Sequence, residues 1–281
     1  MLAWLEMSSC SRSAVACALG AALVLSACSV ALDFDATSAK GTQDDQSFCS
    51  EHLTPPTIFC DDFDGTALAS KWPAVEQHNG SAKNDGGAAR SSPNSLLSVA
   101  APVDAGEGVR AVGSVSFPAL AAAKVGIRVS FALRVEQFDP SSGAKSVVFD
   151  FLYGPLDDYN EIALNLVSTE SAVSLQVDEN AQTEGDETAQ YAQHGPLMTK
   201  PARGEWMTVD IDIDINQPRG QENALRVSLN GKKELDTQLM LPFKGGTPRL
   251  ELGVGWVDSS EPTQRWVVRY DDFLVEAVAL R

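Results

Sequence analysis

The stretch from Gly204 to Gly231 constrains the fold more than any other part of the chain. It opens with Gly-Glu-Trp, after which every second residue from Met207 to Ile215 is apolar and the residues between them are Thr or Asp. Because successive side chains of a strand point to opposite faces, this period of two predicts a half-buried β-strand. A second alternating run ends in Asn230-Gly231, a pair that favours the positive φ angles of a tight turn. The stretch therefore predicts the central hairpin of an antiparallel sandwich.

The same alternation recurs in other parts of the chain. Val125 to Phe138 is apolar at its odd positions, and Leu250 to Trp256 is apolar at its even positions. Val147 to Tyr153 is apolar on both faces, which predicts a strand in the middle of a sheet. About twelve such runs are separated by turn residues, and none has the period of an amphipathic helix. We therefore predict an all-β fold, an antiparallel sandwich of two sheets.

Length and composition fit one large domain. The chain has 281 residues, of which 44% are hydrophobic, and this supplies a substantial core. Its formal net charge is -17, with 38 acidic residues against 21 Lys and Arg. Binding of nucleic acid needs a basic face for the phosphates, so the charge balance argues against a nucleic-acid partner.

Residues 1–27 have the features of a signal peptide. Arg12 precedes an apolar run, Ala14 to Leu25, which is too short to span a bilayer. The run ends in Leu25-Ser26-Ala27-Cys28, which resembles the bacterial lipobox. The resemblance implies lipidation of Cys28 and anchoring in the cell envelope, and Ser29 after the cysteine indicates the outer membrane. An ordinary signal peptide with a chance cysteine is the alternative.

The remaining cysteines lie near the start of the folded part. Residues 28–48 are small, polar and acidic, so we expect a flexible tether there and a folded domain at 49–281. Cys10 and Cys17 belong to the signal peptide, which leaves Cys49 and Cys60 once Cys28 is lipidated. An even pair in an oxidising compartment predicts a disulfide between them, and two free thiols are the alternative.

Several short motifs, in their order along the chain, resemble the concanavalin A-like lectin and glucanase superfamily, which includes laminin-G-like domains. They are Phe59-x-Asp61-Asp62-Phe63-x-Gly65, Gly204-Glu205-Trp206, Asn230-Gly231, Leu250-Glu251-Leu252-Gly253 and Tyr270-Asp271-Asp272-Phe273. The resemblance implies a jelly roll in which the first and last strands pair. The superfamily includes lectins, hydrolases, lyases and adhesive modules, so the resemblance leaves the function open.

Catalysis in the glycosidases of this superfamily uses a strand reading Glu-x-Asp-x-x-Glu, whose carboxylates flank the bond that is cleaved. No such strand occurs in this sequence. Asp210, Asp212 and Asp214 lie at alternate positions of one predicted strand, but Asp replaces Glu throughout. We interpret these aspartates as a solvated face whose charges pair with Arg226 or Arg249 on neighbouring strands.

Two acidic pairs, one near each end of the domain, meet if the first and last strands pair. They are Asp61 with Asp62, and Asp271 with Asp272. Carboxylate oxygens are the ligands that Ca²⁺ prefers, and the resemblance implies that some relatives hold a structural Ca²⁺. The four aspartates are therefore candidate calcium ligands. The alternative is that they cap strand ends and pair with arginines.

Sugar binding on this fold needs exposed aromatic residues, yet aromatic residues make up only 7% of the chain. Several of them, including Phe131 and Trp256, have the inward parity of core residues. The remaining candidates for ligand-binding residues are Tyr153, Tyr159, Tyr191, His194 and Trp206. The alternative for each is packing at a sheet edge or, for a tryptophan, the role of the signature Trp of the fold.

The sequence favours a lipid-anchored envelope protein whose jelly-roll domain binds a polysaccharide or another surface ligand without cleaving it. One alternative is a polysaccharide-degrading hydrolase or lyase on the same fold, and a further one is a purely structural surface lipoprotein. The missing Glu-x-Asp-x-x-Glu strand favours the non-catalytic readings, and we predict no catalytic residue.

Overall fold

A computed structural model of the chain describes residues 47–280, except for 66, 119–123, 142, 155–158, 170, 183–189, 217–222, 240–246 and 258–261. The predicted signal peptide, the lipidation site Cys28 and nearly all of the predicted tether lie outside the described residues. Within the described part, no helix is long and apolar enough to cross a membrane.

Fifteen β-strands form the regular structure of the described residues, together with two 3₁₀ helices at Phe48–His52 and Leu68–Ser70. The strands are β1 Thr57–Asp61, β2 Ala74–His78, β3 Gly80–Asp85, β4 Ser95–Ala100, β5 Arg110–Ser116, β6 Lys124–Gln137, β7 Lys145–Tyr153, β8 Asn160–Ser168, β9 Val173–Ala181, β10 Gln190–His194, β11 Trp206–Asn216, β12 Ala224–Leu229, β13 Lys232–Gln238, β14 Pro248–Val254 and β15 Trp266–Ala279. The sequence predicts fewer strands because short polar ones such as β2 lack an apolar run.

The strands form two antiparallel sheets, as predicted. The eight-stranded sheet has the order β13-β12-β11-β6-β15-β4-β3, with β1 also paired to β15. The seven-stranded sheet has the order β10-β9-β8-β7-β14-β5-β2. The apolar faces of the two sheets meet in one buried core. This arrangement confirms the predicted jelly-roll β-sandwich, and β7 is the middle strand of its sheet, as its apolar sequence indicates.

The stretch from Gly204 to Gly231 supplies β11, β12 and the turn into β13. The apolar positions of β11 are all buried and the positions between them are half-buried, as the alternation predicts. Asn230 and Gly231 have φ angles of 51° and 73° in the turn. The hairpin is not central, however. The long strands β6 and β15 occupy the middle of the eight-stranded sheet, and β11 lies beside β6 towards one edge.

The first and last strands pair, as the resemblance implies. Cys60 lies opposite Leu274, and Asp61 lies opposite Phe273. The predicted disulfide joins Cys49 to Cys60 and so ties the 3₁₀ helix at Phe48–His52 to β1. The beginning and the end of the domain are therefore held together by both a ladder and a covalent bond.

Candidate functional site

The alternating acids of β11 lie on the outer face of the eight-stranded sheet. We call Asp210, Asp212 and Asp214 the aspartate ladder. Asp214 accepts a 2.8 Å hydrogen bond from Arg226, and Asp212 lies 3.7 Å from Arg128. The side chain of Asp212 is 43% exposed. The other predicted partner, Arg249, belongs to the opposite sheet. The aspartate ladder is therefore a solvated face whose charges pair with arginines of the same sheet.

The acids at the start of the domain have structural partners. Asp61 accepts hydrogen bonds from the Trp72 indole at 2.7 Å and from the backbone N–H of Phe63 at 3.0 Å. Lys71 lies 2.9 Å from Asp61 and 3.6 Å from Asp62. Because a buried indole N–H needs an acceptor, Asp61 stabilises the packing of Trp72 in the core.

The acids at the end of the domain hold the segment before β4. Asp271 is fully buried and accepts hydrogen bonds from the backbone N–H groups of Arg90 at 2.7 Å and Ser91 at 3.0 Å. Asp272 accepts a 2.7 Å hydrogen bond from the Ser91 hydroxyl. Burial raises the pKa of Asp271 to about 7. Within the described residues, no three His, Cys, Asp or Glu side chains are grouped to hold a metal ion. Asp61, Asp271 and Asp272 accept structural hydrogen bonds, Asp62 lies beside Lys71, and calcium binding by the four aspartates stays a prediction.

Three of the five predicted ligand-binding residues lie away from any common site. Tyr153 belongs to the core, with its ring 6.2 Å from that of Phe151. His194 is buried, with Nε2 only 2.5 Å from a carboxylate oxygen of Glu179. Trp206 lies on the eight-stranded sheet with Arg134 over its ring at 6.0 Å. Tyr153 and His194 are therefore buried in the sandwich, and Trp206 is half-buried beside Arg134.

The other two, Tyr159 and Tyr191, line a groove of about 560 Å³ on the outer face of the seven-stranded sheet. The register places Asp178, Ala163, Asp150 and Glu251 in one row across the neighbouring strands β9, β8, β7 and β14. Ala163 has a side chain of one carbon, so the floor is low between its acidic neighbours. The groove therefore has a polar floor built by the middle of the sheet.

Three carboxylic acids meet on this floor, and we call Asp150, Glu161 and Glu251 the acid cluster. Asp150 is hydrogen-bonded to Glu161 and lies directly opposite Glu251 in the strand pairing. Burial, followed by the charges of Glu161 and Glu251, raises the pKa of Asp150 well above its usual range. Burial also raises the pKa of Glu251. The raised pKa of Asp150 favours its protonated form beside a second carboxyl group, an arrangement that acid–base catalysis uses.

Two arginines neutralise one member of the acid cluster. Arg110 lies 2.5 Å from Glu251 and, through its Nε, 2.5 Å from Glu76. Arg249 lies 3.3 Å from the second carboxylate oxygen of Glu251. Because Glu251 is almost fully buried, these contacts offset its desolvation.

A second polar centre lies around Asp178, which is 1% exposed. It is paired with Lys145, accepts a 3.0 Å hydrogen bond from Asn165 and accepts one of 2.8 Å from Gln176. Lys145 lies 5.7 Å from the ring centre of Tyr191. Burial, with Asp178 close by, raises the pKa of the Tyr191 hydroxyl to about 12, so this hydroxyl stays protonated and can donate.

Trp256 lies at the groove as well, contrary to the inward parity that its sequence position suggests. The regular strand β14 ends at Val254, and the alternation shifts by one residue after it. Val257 is therefore buried, whereas Trp256 is 61% exposed and lines the groove. The backbone carbonyl of Trp256 accepts a 2.9 Å hydrogen bond from Val147, which fixes the position of the indole beside β7.

Sequence reasoning missed most of this site. Asp150 lies in a strand that is apolar on both sides, and a charged residue inside such a strand was the available signal. Arg110, Lys145 and Glu251 come from strands that are distant in sequence and adjacent only through the register of the sheet. No local motif connects them.

No protein-family model matches this sequence, and a comparison with curated proteins also finds no match. Among solved structures, the endo-β-1,4-glucuronan lyase of the fungus Trichoderma reesei is similar with a TM-score of 0.57 and 14% identity, over 78% of this chain and 95% of that one. An alginate lyase is similar with a TM-score of 0.55 and 12% identity, over 79% of this chain and 98% of that one.

A doubly substituted variant of that alginate lyase, solved in complex with an alginate tetrasaccharide, has a TM-score of 0.54 and 14% identity, over 79% of this chain and 98% of that one. At these identities the likeness shows the fold alone, a jelly-roll β-sandwich. The groove has to be interpreted from its own side chains.

Proposed function

We propose that this protein is a lipid-anchored protein of the bacterial cell envelope whose groove on the seven-stranded sheet binds a polysaccharide. One observation carries the binding proposal. Among the described residues, the exposed large aromatic side chains are Tyr191, 52% exposed, and Trp256, 61% exposed, and both line the groove. Aromatic rings with polar tips offer flat apolar faces to sugar rings, and the polar floor supplies hydrogen bonds to hydroxyl groups.

The spacing of the strands that carry the two aromatic residues suits a polymer. Tyr191 lies on β10 and Trp256 follows β14, with β9, β8 and β7 between them. Four strand spacings correspond to roughly 19 Å, which is the length of several linked sugars. Among solved proteins of the same fold, the glucuronan lyase and the alginate lyase are named for polysaccharides, and one structure holds an alginate tetrasaccharide. These names support a glycan as the ligand class.

Binding is tested with purified protein on a glycan array, followed by calorimetry with the glycans that bind. Trp256→Ala and Tyr191→Ala should each weaken binding by about tenfold, the effect of losing a well-packed aromatic contact. Trp206→Ala is the matched control, since it removes an aromatic side chain from the opposite sheet, and it should leave the affinity unchanged. Equal losses in all three variants would place the ligand elsewhere.

The anchor rests on the lipobox-like sequence that ends in Cys28. Cys28→Ala should abolish incorporation of labelled fatty acid and move the protein out of the outer-membrane fraction. Unchanged fractionation of this variant would refute the anchor and leave the binding proposal intact.

A second candidate function is cleavage of the bound polysaccharide, and the hydrogen-bonded pair of Asp150 and Glu161 favours it. Asp150 offers a proton to a leaving group, and Glu161 offers a base. Release of reducing ends, or of products that absorb in the ultraviolet as unsaturated sugars do, tests this candidate. If Asp150→Asn abolishes turnover while the polysaccharide still binds, the protein is an enzyme. Binding without any product leaves it a binding module.

A further inference from the structure

The cations of the groove are already bound by the protein's own acids. Arg110 lies 2.5 Å from both Glu251 and Glu76, and Arg249 lies 3.3 Å from Glu251. The remaining cation in the described lining, that of Lys145, is paired with the buried Asp178. An acidic sugar would have to displace one of these carboxylates, and the overall charge of -17 would repel an acidic polymer as it approaches.

The pair formed by Asp150 and Glu161 lacks such a cation. Within the described residues, neither carboxylate forms an ion pair with Lys or Arg. Glu161 accepts a 2.6 Å hydrogen bond from the side-chain amide of Asn180 and is also hydrogen-bonded to Asp150. Two acids therefore share one site without a cation in ion-pair contact, and Arg110 acts on Asp150 only through its charge at longer range.

One oxygen of this pair lacks a partner. Asp150 is 7% exposed and lines the groove, and its Oδ1 has no hydrogen-bond partner among the described residues. A buried carboxyl oxygen without a donor is costly, and such an atom on a groove floor indicates where a ligand donor belongs. The cluster of charges and the orphaned oxygen are independent observations that point to the same place.

We propose that the groove selects a glycan with free amino groups, and that an ammonium group of one sugar binds between Asp150 and Glu161. An ammonium group is a compact cation with three donors, so it can donate to the orphaned oxygen of Asp150 and supply the positive charge that the two acids lack. This inference rests on the proposed glycan-binding function and names the class of sugar that the same groove takes.

An ammonium group fits this site better than a metal ion does. Ca²⁺ takes six or more oxygen ligands, and in the described part of the chain neither the acid cluster nor any other set of three acidic, His or Cys side chains is arranged to hold a metal ion. The proximity of Tyr191 and Trp256 to the same floor provides contact faces for the sugar ring that bears the amine.

The test compares three sets of oligosaccharides of equal length by calorimetry at pH 6, using the full protein. The first is made of glucosamine, the second of N-acetylglucosamine and the third of uronic acid. The first two differ only in whether the amine is free, so their comparison isolates its charge. We expect the glucosamine oligomer to bind at least about tenfold more tightly than the other two, the gain that a charge-assisted hydrogen bond supplies.

Two variants test whether Asp150 and Glu161 cause the preference for a free amine. Glu161→Gln should reduce the preference for free amine to about twofold or less, since one of the two charges that bind it is lost. Asp150→Asn should do the same and serves as a second variant if one of them does not fold. Asp212→Asn removes an equivalent charge from the aspartate ladder and should keep the full preference.

The outcomes separate this inference from the function on which it rests. Equal or tighter binding of the acetylated or uronic acid oligomer, with loss of binding in Trp256→Ala, overturns the inference and leaves glycan binding in place. An unchanged preference in both Glu161→Gln and Asp150→Asn also overturns it. Failure of every oligosaccharide and every arrayed glycan to bind overturns the proposed function itself.

Discussion

Both sheets carry acidic residues at neighbouring outward positions, but the two outer faces differ in how deeply they bury these residues and in how they pair them. On the eight-stranded sheet, the aspartate ladder is partly exposed, and Asp214 and Asp212 lie beside Arg226 and Arg128. On the seven-stranded sheet, the acid cluster is almost buried, and two of its members share a hydrogen bond. The comparison teaches that alternating acids in a sequence do not define a site. Burial of the face decides whether such acids become reactive or simply solvated.

The two faces differ in burial because the surrounding side chains project to different extents from the two sheets. The ladder lies on strands whose outward residues are Arg and other solvated side chains, so water reaches its carboxylates. The acid cluster lies in a row that includes the small Ala163, and Tyr191 and Trp256 rise on either side of it. Short side chains between long ones make a groove, and the desolvation at its base raises the pKa values of Asp150 and Glu251.

The largest difference between the two faces should appear when an arginine is removed from each. Arg110→Ala leaves Glu251 buried with only the longer contact to Arg249, and we expect a loss of about 3 kcal/mol in the free energy of unfolding. Arg226→Ala opens an exposed pair and should cost less than about 1 kcal/mol. Urea unfolding of both variants measures the two losses. Similar losses would mean that the faces do not differ in burial.

A buried acid on the same sheet as the aspartate ladder tests whether burial, or the sheet on which an acid lies, determines its pKa. Asp271 lies on β15 and is fully buried, and burial raises its pKa to about 7 from 3.8. The folded state therefore binds the proton more tightly than the unfolded state does. This contribution to stability is complete below pH 3.8 and is lost as the pH rises through about 7.

The Asp271→Asn variant has no titratable side chain at this position, so it lacks this pH-dependent contribution to stability. It should cost about 2 kcal/mol at pH 5, because one buried backbone N–H or hydroxyl group then faces an amide donor. The difference in unfolding free energy between wild type and variant should shrink between pH 5 and pH 8. A difference that grows with pH would show that the N–H groups of Arg90 and Ser91, which donate to Asp271, hold its ionised form instead.

A third comparison concerns the titration of the acids themselves. Because the charge of Glu161 helps to raise the pKa of Asp150, Glu161→Gln should lower that pKa, and carbon-detected NMR of the carboxyl group would follow it. In the ladder, Asp214→Asn should lower the pKa of Asp212 by less, since burial and Arg128 contribute more to that pKa than Asp214 does. Equal shifts would show the same coupling on both faces.

The fold was largely predictable from the sequence, and the groove was not. Alternation over Met207 to Ile215 and over Val125 to Phe138 identifies a buried face without any tertiary information, because the period of a strand is local. The disulfide between Cys49 and Cys60 also follows from counting the cysteines that remain once the signal peptide and Cys28 are set aside. Both are confirmed in the structure.

The groove depends on register, which no single strand encodes. Asp150 and Glu251 lie a hundred residues apart and meet only because β7 pairs with β14. Trp256 reaches the groove only because the alternation shifts after Val254. Sequence position alone selects Tyr159 and Tyr191 as candidate ligand-binding residues, and both line the groove. It also predicts Trp256 as a core residue, and this prediction is wrong.

The smallest expected effect belongs to the ladder and is the sharpest test of its solvated role. Asp212→Asn removes a partly exposed charge 3.7 Å from Arg128, so its unfolding free energy should stay within about 0.5 kcal/mol of wild type. Its affinity for any glycan that the array identifies should also stay within about twofold. A cavity of about 320 Å³ does lie on this face, lined in part by Asp210, Asp212 and Glu276. If Asp212→Asn lost binding while Asp150→Asn kept it, the ligand would lie in that cavity, and the contrast between the two faces would be reversed.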